Sequence, residues 1–323
     1  MSVPTQVFKA QATGNDFVMY ADPDGEFEPT PQEIRWLCDR HFGIGADGLL
    51  RLTRPGFVRD VSSGSGGCDR GMAEAEWFMD YRNADGSVAQ MCGNGTRAIT
   101  LFAQHCGLLG TGIGSEWDLG TRAGVKHVVA QGDDPLLGDS VFTVDIGGFR
   151  CGPIGEYQVA VPGVTGTAPG TYVDMGNPHV VSILGVPDSG EVPPALARLV
   201  RESTLPEVRV LDVGTKPVVD PSIPGDQNVE FVQVTSLGEG GAGSAFMRVN
   251  ERGCGETLSC GTGLCATAAT LHALTGVGEW GIAVRGGHVR VGVSSGEDLS
   301  QGRVRLTGGA RIVGKIELQG SPR

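Results

Sequence analysis

No stretch of this 323-residue chain approaches the run of about 20 apolar residues that a membrane-spanning helix needs. The N-terminus, Met1 to Ala10, lacks the apolar core of a secretory signal. Cys-x-x-Cys pairs are missing and the six histidines are scattered singly, so the ligand spacings of a zinc site are missing too. Positive charge is scarce. The 25 Lys and Arg against 37 Asp and Glu leave a net charge of −12, which argues against nucleic acid or an anionic membrane as partner. The four lysines, Lys9, Lys126, Lys216 and Lys315, show no context for pyridoxal phosphate. The default expectation is a soluble, cytoplasmic protein with neither metal nor cofactor.

Glycine, in contrast, is abundant at 53 residues, but it follows no strict period, which excludes collagen and points to turns between many short strands. Length and a hydrophobic fraction of 40% suffice for two ordinary domains. Without a secretion signal, the eight cysteines do not suggest a disulfide framework. Cys38, Cys106 and Cys265 fall in apolar helical patterns and read as buried core. Cys68, in the Ser/Gly-rich stretch Val61–Gly71, and Cys151 read as loop residues. Cys92 and Cys260, with Cys254 nearby, occupy positions that chemistry can use.

Those two cysteines open copies of one motif. Cys92-Gly93-Asn94-Gly95 runs into an apolar segment that stops at Gly107, and Cys260-Gly261-Thr262-Gly263 into one that stops at Gly276. Each segment is too apolar to face water and ends at the expected C-terminal glycine, so each is read as a buried helix. The duplication extends upstream to Gly14-Asn15-Asp16 and Gly176-Asn177-Pro178. Thr30-Pro31-Gln32-Glu33 is a capping box that starts a helix ending near Gly43, with a counterpart over Pro194–Glu202. Strands are expected over Phe17–Tyr20, Val141–Ile146, Val180–Leu184, Val229–Val234, Phe246–Val249 and Val289–Val293. The stretch Gly147–Gly170 leaves room for one or two more. The fold class is α+β, with two pseudo-symmetric domains, each a mostly antiparallel sheet wrapped around a central helix, and an active site in the cleft between them. The boundary is expected near residue 138.

A helix N-terminus offers backbone N–H groups and partial positive charge, and glycines let that backbone approach an anion, so each motif is a cradle for a carboxylate or phosphate. A thiol placed there is available as base or nucleophile. Two structural turns with buried cysteines are the bland alternative. A cysteine hydrolase leaves a second equivalent thiol without a task. Removing a proton from one face of a carbon and returning one to the other needs two such groups, as in racemisation or epimerisation. Without an electron-sink cofactor, the developing charge spreads into the substrate carboxylate, which the two helix ends can hold.

Asn83-Ala84-Asp85-Gly86-Ser87 with Met91-Cys92-Gly93-Asn94-Gly95, and Glu251-Arg252-Gly253-Cys254-Gly255-Glu256-Thr257 with Cys260-Gly261-Thr262-Gly263, resemble the two signatures of the diaminopimelate epimerases. Gly14-Asn15-Asp16-Phe17, Gly43-Ile44-Gly45-Ala46-Asp47-Gly48 and Gly176-Asn177-Pro178-His179 match further segments of that family. The resemblance implies cofactor-independent interconversion of LL- and meso-2,6-diaminoheptanedioate in bacterial lysine and cell-wall precursor synthesis, by a homodimer. It implies domains over 1–138 and 139–307, with the C-terminal strand near Gly308–Leu318 returning to the first. Cys92 and Cys260 become the acid–base pair. The backbone at Gly93-Asn94 and Gly261-Thr262 holds the reacting carboxylate, and Asn15 contacts the reacting amino group. Asn83, Asn177, Asn228, Glu251 and Arg252 recognise the distal amino-acid end, a zwitterion that needs a carboxylate, a cation and amides.

Two departures stand out. Gly48 sits where many members carry a glutamine that helps hold the reacting amino group, and Cys254 where a small apolar residue is usual. Two other readings stay open. A proline or hydroxyproline racemase shares the two-thiol logic, but typically has His where Asn94 stands and a substrate without a distal amino-acid end. A non-catalytic carboxylate-binding protein predicts binding without α-proton exchange.

Overall fold

The computed structural model describes residues 2–58, 75–188, 190–238 and 241–320. The Ser/Gly-rich stretch with Cys68 lies outside them. The chain divides into two compact units, Met1–Val144 with Gly308–Arg323, and Asp145–Thr307. In chain order the elements are β1 (Gln6–Ala12), β2 (Asn15–Asp22), α1 (Pro31–Cys38), β3 (Gly48–Thr53), β4 (Trp77–Asn83), α2 (Gly93–His105), β5 (Glu116–Thr121), β6 (Gly124–Asp134) and β7 (Gly138–Cys151). There follow β8 (Tyr157–Ala160), β9 (Ala168–Asp174), β10 (Pro178–Gly185), α3 (Pro194–Glu202), β11 (Val218–Asp220), β12 (Asn228–Leu237), β13 (Ala242–Glu251) and β14 (Gly255–Thr257). The last are α4 (Gly261–Thr275), β15 (Glu279–Val284), β16 (Gly287–Ser295), β17 (Gln301–Gly309) and β18 (Arg311–Glu317).

The pairing pattern repeats. In the first unit β1 and β2 are antiparallel, β2 and β3 parallel, β3 and β4 antiparallel, β4 and β5 parallel, and β5, β6 and β7 antiparallel in turn. In the second unit β9, β10, β12, β13, β15, β16 and β17 follow the same order of antiparallel and parallel steps. A parallel step cannot be made by a tight hairpin and needs a crossover; α1 and α2 supply it in one unit, α3 and α4 in the other. Strand β18 pairs antiparallel with β1. Two pseudo-symmetric, mostly antiparallel halves with a helix on each sheet are thus what the sequence pattern predicts and what the chain forms. The expected boundary near residue 138 marks the start of β7; the compact units divide within that strand, after Val144.

Alternation along the strands assigns their faces. Val18, Tyr20 and Leu49 pack with Ile34 and Leu37 of α1, leaving Phe17, Met19 and Leu50 for the α2 side. Helix α2 packs on β1 to β4 and β18, and α4 on β9, β10, β12, β13, β15 and β16. Helix α4 is buried almost all round and closes on Gly276 at φ 73°. Helix α2 is buried only to Ala103, and its last turn reaches solvent at His105.

Three expectations need correction. The first helix ends at Cys38, not near Gly43, because Asp39 leaves the helical conformation and its carboxylate accepts from the His41 and Phe42 N–H groups at 2.7 and 2.8 Å. Its start is as predicted, with Thr30 and Glu33 capping each other's backbone at 3.2 and 3.0 Å. Cys106 is exposed, since it is the residue that leaves α2 for the turn at Gly107. Cys151 is buried in a strand: β7 continues through the Gly147-Gly148 pair that reads as a loop, and Arg150 and Cys151 pair with Asp174 and Val173 of β9. Burial pushes the Cys151 thiol up to about 12, as it does Cys38, so both behave as core.

Candidate active site

In the first unit Cys92 is the N-cap of α2 and half-buried. Its Sγ accepts from the Gly95 N–H at 3.4 Å, in the position a serine oxygen usually takes, and donates to Asn15 Oδ1 at 3.4 Å. Asn94 is fully buried; its amide donates to the same Asn15 oxygen at 3.4 Å, and its own Oδ1 accepts from Arg97. Arg97 also reaches Thr13 Oγ1 at 3.1 Å and Gly309 O at 3.0 Å, so β18's approach and the first turn of α2 share one buried guanidinium. Asn15 in turn donates to Asp47 Oδ2 at 2.6 Å. Behind it, burial works to raise the Asp16 carboxyl, but hydrogen bonds from Arg40 and Lys9 outweigh it and hold the group at about 2.

Gly93 and Asn94 form the first turn of α2, where backbone N–H groups lie ahead of the intrahelical ladder. Asn83 ends β4, with its side-chain amide donating to Ser87 Oγ at 3.0 Å. Gly48 opposes Asn83 across the β3–β4 pair. A Cβ built on Gly48 would lie 2.5 Å from Arg82 O and 2.6 Å from Cε2 of Tyr81. The Tyr81 ring, edge-on to Phe17 at 6.0 Å, therefore fills the space where a side chain at residue 48 would begin.

In the second unit Cys260 is the N-cap of α4 and buried, with Thr262 Oγ1 3.6 Å from its Sγ. Burial pushes this thiol well up, and the carboxylates of Glu251 and Glu230 add to the effect. Glu251 ends β13, accepts from Thr257 Oγ1 and hydrogen-bonds Cys260; burial raises its carboxyl above the usual range. Asn228 opens β12, and its Oδ1 accepts from the Arg252 N–H at 2.9 Å. Gly261 is buried in the first turn of α4, and Asn177 is half-buried in the turn before β10. The exposed Arg252 side chain donates to Gly225 O at 3.1 Å, and Cys254 is exposed on the β13–β14 turn.

Each unit thus brings together most of its own predicted residues: Cys92, Asn15 and Asn94 in one, Cys260, Glu251, Asn228 and the Arg252 backbone in the other. Sequence reading passed over two. His179 and Glu230 are both fully buried, and His179 Nδ1 is hydrogen-bonded with Glu230 Oε1 at 2.7 Å. The available signal was a lone carboxylate inside the apolar run Val229–Val234. Among the described residues no group of three or more His, Cys, Asp or Glu is placed to hold a metal ion, and no helix is long and apolar enough to cross a membrane.

Two solved structures share this architecture. A PhzF-family phenazine biosynthesis protein of Bacillus anthracis superposes with a TM-score of 0.61 at 15% identity, covering 98% of this chain and 99% of that one. A hydroxyproline epimerase from Agrobacterium vitis, with bound trans-4-OH-L-proline, does so at 0.61 and 15%, covering 96% and 91%. The class is therefore the two-unit fold of these proteins, here with a cysteine capping each central helix. A family model for diaminopimelate epimerase matches residues 7–139 and 171–312. The diaminopimelate epimerase of Thermobifida fusca (strain YX) is 37% identical over 316 residues, 96% of this chain and 97% of its own. The chain belongs to the diaminopimelate epimerase family.

Proposed function

We propose that this chain interconverts LL- and meso-2,6-diaminoheptanedioate in lysine and cell-wall precursor synthesis, with Cys92 and Cys260 as the two acid–base groups and no cofactor. One thiolate takes the α-proton while the other thiol delivers its proton to the opposite face, so the substrate's proton count is unchanged. The first-turn backbone at Gly93-Asn94 and Gly261-Thr262 holds the reacting carboxylate and stabilises the charge it gains. Asn15, already hydrogen-bonded to Cys92, contacts the reacting amino group. Asn83, Asn177, Asn228, Glu251 and Arg252 hold the distal end. The observation that carries this reading is the repeated N-cap cysteine, each seated among amides or carboxylates of its own unit. The family resemblance supports a cytoplasmic homodimer, which sedimentation analysis checks.

The test is proton exchange in deuterated water. NMR of LL-diaminopimelate with the enzyme should show α-proton loss together with appearance of the meso isomer, and no exchange with proline or hydroxyproline. Binding without exchange would leave a carboxylate-binding protein instead.

A further inference from the structure

In a chain of net charge −12, three guanidinium groups gather around one cavity of the second unit. The cavity has a volume of about 330 Å³ and is lined by Arg209, Phe246, Arg248 and Arg285, a size that suits a small ligand. Phe246 and Arg248 are two residues apart on β13 and share a face. Arg285 follows the end of β15, and Arg209 comes from the segment between α3 and β11. None of these residues belongs to the cysteine-bearing helix ends.

The three arginines have unequal duties. Arg248 belongs to the fold: Nε and Nη2 donate to the two Glu256 oxygens at 2.7 and 2.9 Å, and Nη1 donates to Val208 O and Leu211 O at 2.8 and 2.7 Å. It thereby ties the segment that carries Arg209 to β13. Arg285 is half exposed and gives only Nη1 to Glu256, at 2.9 Å. The Arg209 guanidinium lies over the Phe246 ring, 4.5 Å from its centroid, and donates to no described residue. Stacking uses the face of a guanidinium and leaves its in-plane N–H donors for another partner. Among the described residues Glu256 is the only carboxylate ion-paired with any of the three. Three cations against one anion leave two positive charges in excess. Asp212, within the field of Arg248, is turned into its own loop, accepting from the Gly214 N–H at 3.0 Å and Thr215 Oγ1 at 2.8 Å. Like charges set around one hollow repel until a counter-ion enters, and a concave wall of one sign draws that ion in.

We propose that this cavity is a binding site for a phosphate dianion, either the free ion or the phosphate monoester of a small metabolite. A phosphate monoester carries a charge of about −1.5 to −2 near neutrality, which matches the excess on the wall. Its oxygens accept the parallel pair of N–H groups that a guanidinium presents in its plane. Arg209 and Arg285 make the contact, while Arg248 and Glu256 hold them in place. A single carboxylate would leave half of the excess charge unanswered. This site goes beyond the epimerase reading and does not depend on it.

The experiment is calorimetric titration of the full chain with inorganic phosphate and with phenyl phosphate, at neutral pH and about 0.15 M NaCl, where distant surface charges are screened. Binding should saturate. Arg209→Gln and Arg285→Gln should each weaken it by about ten- to a hundredfold, the worth of a charge-assisted hydrogen bond. Both side chains are exposed, so both variants should keep native-like circular dichroism. Arg311→Gln removes an exposed charge from the first unit and should leave both affinities unmoved. Tighter binding of phenyl phosphate would support the proposal with a phosphorylated metabolite as ligand, and equal binding would support it with the free ion. No saturable binding, binding that survives both cavity variants, or an equal loss in Arg311→Gln would overturn it. Displacement of phosphate by LL-diaminopimelate would overturn it too, because the anion would then sit in a helix-end cradle.

Discussion

Gly263 lies directly against the Glu230 carboxylate, 2.6 Å from Oε1 if a Cβ is added, whereas its counterpart Gly95 has only ordinary contacts at 3.4 Å or more. Alanine is the better helix former by about 1 kcal/mol. Gly95→Ala should therefore leave stability unchanged or raise it by up to about 1 kcal/mol. Gly263→Ala must displace a carboxylate pinned by His179 and should cost about 1–3 kcal/mol. Urea unfolding of the two variants tests the contrast; equal effects would mean that Glu230 yields freely.

Replacing either Cys92 or Cys260 with alanine should lower net epimerisation by at least about a hundredfold, because each half-reaction needs an acid opposite a base. Circular dichroism should remain native-like. A folded Cys92→Ala enzyme that kept more than a few per cent of turnover would rule out the two-base scheme.

Arg252→Ala should remove a charge-assisted contact to the distal end worth about 1.5–3 kcal/mol. That predicts a loss of about ten- to a hundredfold in kcat/KM. Its side chain is exposed and rests on Gly225 O, so the fold should not suffer. Unchanged kinetics would take Arg252 out of the site.

Asp16 supplies a pH dependence whose sign is fixed by its lowered carboxyl. With a value of about 2 in the fold against an ordinary 3.8, its stabilisation is present above pH 3.8 and disappears as pH falls through about 2. Asp16→Asn should be less stable than the original protein near neutrality, and the two should converge toward pH 2. Parallel urea titrations at several pH values check this; a constant difference down to pH 2 would contradict it.

What was legible in the sequence was local. The capping box at Thr30 and Glu33, the helix over Pro194–Glu202 and the glycine stop at Gly276 are all written within a few adjacent residues. So is a cysteine one residue ahead of a glycine-rich helix start, and because that signal occurs twice the pseudo-symmetry could be read as well. Cys151 was misplaced because a Gly-Gly pair looks like a loop when the strand it continues is paired far away in sequence. His179 and Glu230 were missed for a related reason. Their meeting depends on the parallel register of β10 and β12, set by strands 49 residues apart or more, and no short window contains both.

The close approach at Gly48 limits what residue 48 can lend to the molecule. Any side chain there meets the backbone oxygen of Arg82 as well as the Tyr81 ring, so trimming the tyrosine alone would not make room. A glutamine in this place would have to part β3 from β4 first. Residue 48 therefore contributes backbone alone, and the lock on it is the spacing of two paired strands rather than any one side chain.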